Sequence, residues 1–542
     1  MSRAHRWLLL SALLAAFVAR APGILWGYNF PFGWHGHHVD EYVHTQVTHK
    51  LLYPAIKLDW EHPYPMGMAA HVAVPLKLKQ VMLREPKPAP NQRPPEPAQR
   101  AAMLLTGRTV AVLYGMLCVL VTFSLSRKLF TDIRVALLAA WILALTGLHV
   151  TQSHFFLADS SALFWTLLGT LLLWRELAEN EAGSPHWLAL AAACFGVAFG
   201  LKIAVASLPS LALVVLWRSP RLWRALYSGV FFFTGAMLVN LTMFSLKDLA
   251  RVFAGGINDP YIKSVFDNLR LYTLEMPSIV SLPLFALAMA GTVSLARKYW
   301  SQTEFGRQMH IAVVILLPLA THIFFLLFKL DHFPRHVYPL LPWVAVAAAW
   351  AMWQLMRSMK ERGLAPALLV VPVFIYLALF VYDGERVFLR EPRNEAAKWL
   401  AANVAPGTTY YWRNHVALPG YKHIAFHDGD GRPEVLVWEM YRVNPVLSGM
   451  GWRDSYPRDY RYIFEARNQA YVDRIQQVFK NETEYKQVAR FDEGYFMPEL
   501  KWTDRLIGNR SRNYVTEIII YRRPPTPADQ QPATTTEAVN TK

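Results

Sequence analysis

At 542 residues, with 54% hydrophobic and only 17% charged residues, the chain is too long for one ordinary domain and too apolar for a soluble protein. A formal net charge of +16 would suit nucleic acid, but most Lys and Arg of the first two thirds sit in short turns between apolar runs, so a membrane accounts for them and no nucleic-acid partner is assigned. The 2 cysteines, Cys118 and Cys194, both lie inside apolar runs, which excludes a disulfide framework and a cysteine-ligated zinc site.

The N-terminus, MSRAHRWLLLSALLAAFVARA, has the basic start, short apolar stretch and Ala-Arg-Ala ending of a cleaved signal peptide. Because the rest of the chain is polytopic and needs a first helix to set its orientation, we read it as a retained span. Eleven candidate spans follow from the apolar runs: 7–25, 106–126, 135–153, 160–174, 187–200, 203–217, 225–244, 277–295, 309–328, 338–356 and 364–382. Several are shorter than the ~20 residues that cross a bilayer. The stretch 187–217 is one long helix or two short ones, and a break at Gly200-Leu201-Lys202 is favoured by the poor helix propensity of glycine and the cost of a mid-membrane lysine.

Charge bias agrees with the break. With two spans there, thirteen Lys and Arg fall in turns on one side (127–134, 175–176, 218–224, 297–307 and 357–362) and seven on the other. The positive-inside rule then puts the N-terminus in the cytoplasm and the C-terminal domain outside. The first loop, 26–105, is extracytoplasmic. Within it, 64–83 is apolar but carries His71, Lys77 and Lys79 and is expected to lie along the membrane surface, and the six prolines of 84–97 form an irregular connector. Residues 1–382 thus form a membrane domain. Residues 383–523 read as a soluble α/β unit, with a helix in EPRNEAAKWLAANV, a strand at TTYYW, the segment DYRYIF, a helix across 467–480, and strands near 486–491 and 514–522. The tail 524–542 is expected to be disordered.

The densest chemistry is in the first loop, in HHVDEYVHTQ at 37–46 and LDWEHPYPMG at 58–67. An Asp-Glu pair beyond a span is by itself no more than a solvated acidic turn. Here it stands among aromatics and histidines, on the same predicted side as several other ionisable groups. His44, four residues after Asp40, would share a helix face with it. No tight zinc spacing is present among the loop histidines. No metal site is assigned, and a divalent cation is the one cofactor the sequence leaves open. Gly107-Arg108 opens the second span, SHFFLADSSALFW at 153–165 puts Asp159 at the mouth of another, GVAFGLK ends at Lys202, and FPRHVYPLLPW carries Arg335. Each cation also fits an interfacial anchor, and Asp159 also fits a helix cap.

In order and spacing these motifs resemble the GT-C superfamily, specifically the protein O-mannosyltransferase and aminoarabinose-transferase group of polyprenyl-phosphate-dependent glycosyltransferases. That group has a loop Asp-Glu pair, matched by Asp40-Glu41, and then a His-Pro-Pro or Lys-Pro-Pro motif, matched by His62-Pro63-Tyr64-Pro65 with Tyr64 in place of the second proline. The resemblance implies a polytopic α-helical GT-C fold of about eleven transmembrane helices, with a C-terminal extracytoplasmic α/β domain. It implies sugar transfer, with inversion, from a polyprenyl-phosphate carrier to an acceptor hydroxyl on a protein, glycolipid or polymer. Asp40 is implied as the base, with Glu41 orienting a neighbour or the acceptor, and His62, Arg108, Asp159, Lys202 and Arg335 as the donor-phosphate and substrate group. Such chemistry needs a carboxylate for the hydroxyl proton and cations for the departing phosphate. The low cysteine count and lack of ER signals point to a bacterial inner membrane with the active site facing the periplasm. A lipid or sugar transporter is the alternative, weakened by the absence of a visible internal repeat.

Overall fold

The apolar runs become helices because a chain without water must satisfy its backbone polar groups internally. The computed structural model describes residues 1–26, 39–53, 67–83, 97–178, 186–202, 206–218, 222–239, 264–302, 305–328, 334–389, 392–412, 422–423, 433–439, 477–478, 480, 483–491, 494–503 and 518–524. The proline connector up to residue 96, His62, the segment DYRYIF, most of the expected helix 467–480 and the tail beyond Pro524 lie outside these residues. The chain divides into two units, one of Met1–Asn29, His35–Phe388 and Tyr495–Thr503, the other of Phe30–Trp34, Leu389–Gly494 and Asp504–Lys542.

The first unit begins with α1 (Arg3–Ile24), α2 (Val39–Leu52), α3 (Gly67–Leu83) and α4 (Pro97–Leu129). There follow α5 (Ile133–Ala144), α6 (Gly147–Gln152), α7 (Asp159–Ala178), α8 (His186–Lys202), α9 (Leu208–Arg218) and α10 (Leu222–Val239). Then come α11 (Val265–Val280), α12 (Leu282–Gln302), α13 (Phe305–Ile311) running through a π-helical turn (Ala312–Leu316) into α14 (Leu317–Phe328), and a 3₁₀ turn (Pro334–Leu340) leading into α15 (Leu341–Glu361) and α16 (Ala367–Leu389). The core is built where α4 packs on α1, α5 and α7, α7 on α8, α8 on α10, and α15 on α5 and α12.

Among the described residues, five helices are long and apolar enough to cross a bilayer: Arg3–Ile24, Ala98–Leu129, Gly306–Phe328, Arg335–Glu361 and Ala367–Arg386. Counting the bent pair at residues 268–299 gives six, and Ile133–Ala144, His186–Lys202, Leu208–Trp217 and Ala225–Val239 are shorter apolar helices. Two single-span expectations need correction. The run 135–153 divides between α5 and α6, with Thr146 in extended conformation between them. The run 277–295 bends by 115° at Ser281, whose φ of +80° lies in the left-handed region. Glu499 stabilises that bend by accepting the Leu282 backbone N–H at 3.1 Å, at the positive end of α12, while holding the Tyr376 hydroxyl at 2.8 Å. The stretch 187–217 is two helices, as the sequence favoured: α8 ends at Lys202, the last residue of the expected break, and the next helix starts at Leu208.

In the second unit α17 (Pro392–Asn403) ends ahead of Gly407, where φ is +88° and the chain turns into the sheet. The strands are β1 (Thr409–Trp412), β2 (Lys422–His423), β3 (Val435–Glu439), β4 (Lys486–Phe491) and β5 (Ile518–Arg522); α18 (Pro498–Thr503), between the last two in sequence, belongs to the first unit. Their order is β2-β1-β3-β5-β4. The pairing is parallel for β1 with β2 and β3, and antiparallel for β5 with β3 and β4. Ala396, Ala397 and Leu400 of α17 cover Tyr410, Val435, Val437, Ile518 and Ile520. The alternation of inward apolar residues along β3 and β5 is what a sheet with a covered face requires.

Candidate active site

The site is organised by a stretch of irregular chain, residues 153–158, between α6 and α7. Asp40 and Glu41 stand in the first turn of α2, on the same helix as His44. The Asp40 side chain lies outside the described residues. Glu41 is fully buried and receives both Nε and Nη2 of Arg108 from α4, each at 2.8 Å. A bidentate guanidinium–carboxylate pair fixes orientation as well as charge. Arg108 Nη1 donates to the carbonyl of Trp26, and Glu41 Oε1 also accepts the backbone N–H of Phe156 at 2.9 Å. One buried pair therefore ties together the end of α1, the start of α2, the middle of α4 and the 153–158 stretch. Gly107 permits this approach, since a Cβ there would stand 2.3 Å from the Phe156 ring.

Three residues beyond Phe156, Asp159 opens α7 and is ion-paired with Lys202 at the last position of α8. Each charge sits at the helix end its sign favours. Asp159 is buried, while the Lys202 side chain is 37% exposed. Arg335 is half-buried in the 3₁₀ turn. In the same turn Tyr338 is buried and its hydroxyl lies 2.9 Å from Ser160 Oγ, next to Asp159. Glu41, Arg108, Asp159, Lys202 and the turn bearing Arg335 thus converge on residues 153–160. His62 lies outside the described residues. Among the described residues no group of three or more His, Cys, Asp and Glu side chains could hold a metal.

Burial lowers the pKa of His49 in α2 and of His71 in α3, so both are held neutral near pH 7. The His44 ring packs on Phe156, with centroids 5.3 Å apart.

Known proteins bear on this arrangement. The family model for dolichyl-phosphate-mannose-protein mannosyltransferase matches residues 97–250, the part of the chain that contains Arg108, Asp159 and Lys202. An undecaprenyl phosphate-alpha-4-amino-4-deoxy-L-arabinose arabinosyl transferase of Pseudomonas aeruginosa UCBPP-PA14 is 28% identical over 436 residues, covering 75% of this chain and 72% of the relative. The PAO1 strain's protein of the same description is 30% identical over 328 residues, 55% of this chain and 57% of its own. In fold, the chain is similar to apo ArnT from Cupriavidus metallidurans, with a TM-score of 0.50 at 14% identity, covering 96% of this chain and 98% of that one. In these matches the chain resembles the GT-C glycosyltransferases. Its long apolar helices are those of an integral membrane protein, and the relatives it resembles are transferases named for polyprenyl-phosphate-linked sugars. A transporter, the alternative on sequence alone, is not favoured by these relatives.

Sequence reasoning missed part of this site. His154 lies 2.8 Å from Glu385 of α16, which also accepts the Thr151 hydroxyl at 2.6 Å. The Trp26 ring is stacked between His154 and Phe388, at 4.7 and 4.6 Å. Gly23 makes room for this layer, because a Cβ there would fall 1.6 Å from His154 Nδ1. Arg20, wholly buried in α1, was also missed. The signal for it was a cation inside an apolar run, which is costly unless it is partnered.

Proposed function

We propose that the enzyme transfers a sugar from polyprenyl phosphate to an acceptor hydroxyl on the extracytoplasmic side, with Asp40 as the base and inversion at the anomeric carbon. A hydroxyl is a weak nucleophile at neutral pH, and a positioned carboxylate accelerates its attack by roughly 10²–10⁴-fold. Electrons flow from the acceptor oxygen to the anomeric carbon as the bond to the carrier phosphate breaks, and the proton goes to Asp40. The departing phosphate needs cations in a low-dielectric setting, and Lys202 and Arg335 fit that need. Asp159 holds Lys202 in place until the phosphate arrives. We assign Arg108 and Glu41 to fixing the turn that carries Asp40, because the guanidinium donors are directed at Glu41 and at main-chain carbonyls. His62 is assigned to the carrier side of the substrate. The acceptor is a protein, glycolipid or polymer hydroxyl, and the setting is a bacterial inner membrane with the site and the C-terminal unit on the periplasmic face.

The observation that carries this reading is the convergence of the loop acid pair's helix, the Asp159–Lys202 pair and the Arg335 turn on residues 153–160. The test is transfer from a labelled polyprenyl-phosphate sugar by the purified protein in liposomes. Asp40→Asn is expected to lower the rate by roughly 10² or more while the protein remains monodisperse and folded. Full activity in that variant removes Asp40 as base, and absence of sugar release by the wild type removes the reading itself.

A further inference from the structure

Arg20 has no part in the chemistry above, yet it lies wholly buried within an apolar helix. Such a cation persists where partners replace its water. Its Nη1 donates to the carbonyl of Ala16, one turn earlier in α1, at 2.8 Å. The same nitrogen donates to the carbonyl of Ala144 at 2.9 Å. Ala144 is the last residue of α5, where carbonyls are left without helical partners and carry partial negative charge. Nη2 lies 2.5 Å from Nδ1 of His149 in α6. Arg20 therefore joins the two helices on either side of the break at Leu145-Thr146.

The connection continues. The His149 ring lies face to face on Tyr338, with centroids 5.2 Å apart and planes 2° from parallel. The Tyr338 hydroxyl is 2.9 Å from Ser160 Oγ and 3.4 Å from Ser153 Oγ. Ser160 follows Asp159 directly. Arg335 precedes Tyr338 by three residues, the repeat of a 3₁₀ turn, so the two share a face. Gly115 of α4 leaves the space that Arg20 and Ser153 occupy, since a Cβ there would be 2.4 Å from Ser153 Oγ and 3.1 Å from Arg20 Nε.

We infer that Arg20 is a positioning residue for sugar transfer: through His149 and Tyr338 it sets the spacing between the Asp159–Lys202 pair and Arg335, and with it the seat of the donor's phosphate. This rests on the reading of Lys202 and Arg335 as phosphate cations. An architectural clamp alone would change stability and leave donor affinity untouched.

The experiment compares wild type, Arg20→Met, Arg20→Lys, Tyr338→Phe and the Arg20→Met/Tyr338→Phe double variant in liposomes with a labelled polyprenyl-phosphate sugar. Arg20→Met is expected to raise the KM for the lipid donor by roughly tenfold, with the acceptor KM unchanged. Arg20→Lys keeps the charge and a reach to the α5 carbonyl and is expected to restore most of that loss. The double variant is expected to be no worse than Arg20→Met alone, because both changes cut one connection, whereas independent effects would multiply. An Arg20→Met protein with a lowered Tm but an unchanged donor KM overturns the inference, as do multiplying effects in the double variant. Binding of unglycosylated polyprenyl phosphate, measured without turnover, is expected to be about tenfold weaker in Arg20→Met than in wild type. That arm judges the connection even where the wild type releases no sugar from the donor, an outcome that would count against the transfer reading instead.

Discussion

Glu41 and Arg108 are separated by 67 residues in sequence and joined by two 2.8 Å hydrogen bonds in the fold. The Asp-Glu pair and Arg108 were each visible as ionisable groups near predicted span ends, but nothing in their spacing says that one is the other's partner. Long-range pairing depends on how α2 returns to α4, which sequence periodicity does not encode. The energetic consequence is asymmetric. Removing one member of a buried pair strands the other charge, at a cost of about 3–5 kcal/mol, while replacing both with apolar groups can be close to neutral. Glu41→Ala is therefore expected to lower stability by about 3–5 kcal/mol, and Glu41→Ala/Arg108→Met to recover much of it. Thermal unfolding in detergent checks both. Activity is expected to stay low in the double variant, because the Phe156 N–H loses its acceptor and the Asp40 turn its anchor even when the charges balance.

The helices show which features of the sequence could be read and which could not. Hydropathy located most of the apolar segments but took 135–153 and 277–295 as unbroken. The breaks depend on contacts from elsewhere, the Arg20 guanidinium at the end of α5 and the Glu499 carboxylate at the start of α12. Of the glycines of GVAFGLK, Gly200 was read as part of a helix break. In the fold both glycines are points of close approach: a Cβ on Gly196 would stand 2.0 Å from the Phe232 carbonyl oxygen of α10. A glycine in an apolar run suits either role, and only the facing helix decides. Gly196→Ala is expected to push α8 from α10 and cost about 1–3 kcal/mol, as overpacking does. Because α8 ends in Lys202, transfer should fall as well. Gly229→Ala on α10 meets nothing within 4 Å. It is expected to be neutral or stabilising by up to about 1 kcal/mol. Equal losses in the two variants, measured by Tm in one detergent, would mean that α8 and α10 do not pack through Gly196.

For the molecule as a whole, the acid side of the stability profile follows from the first-loop helices. His49 is 1% exposed beside Tyr53, and His71 packs on Tyr114 at 5.6 Å. Burial lowers both pKa values from an unfolded value of about 6.5. Between the folded and unfolded values the unfolded chain binds more protons, so unfolding becomes easier as pH falls. The stability these neutral imidazoles confer is complete above about pH 6.5 and is lost as pH drops through their folded values. Each group can contribute no more than about 1.4 kcal/mol per pH unit inside that window. A chain already at +16 adds self-repulsion in the same direction, so the wild-type slope alone cannot be assigned to these two groups. Substitution separates the terms. His49→Gln/His71→Gln removes two titrations and leaves the other charges in place, so its Tm is expected to fall less steeply than the wild type's between pH 7.5 and 5.5. Parallel slopes would assign the acid sensitivity to the remaining histidines and the global charge, and would remove α2 and α3 as its source.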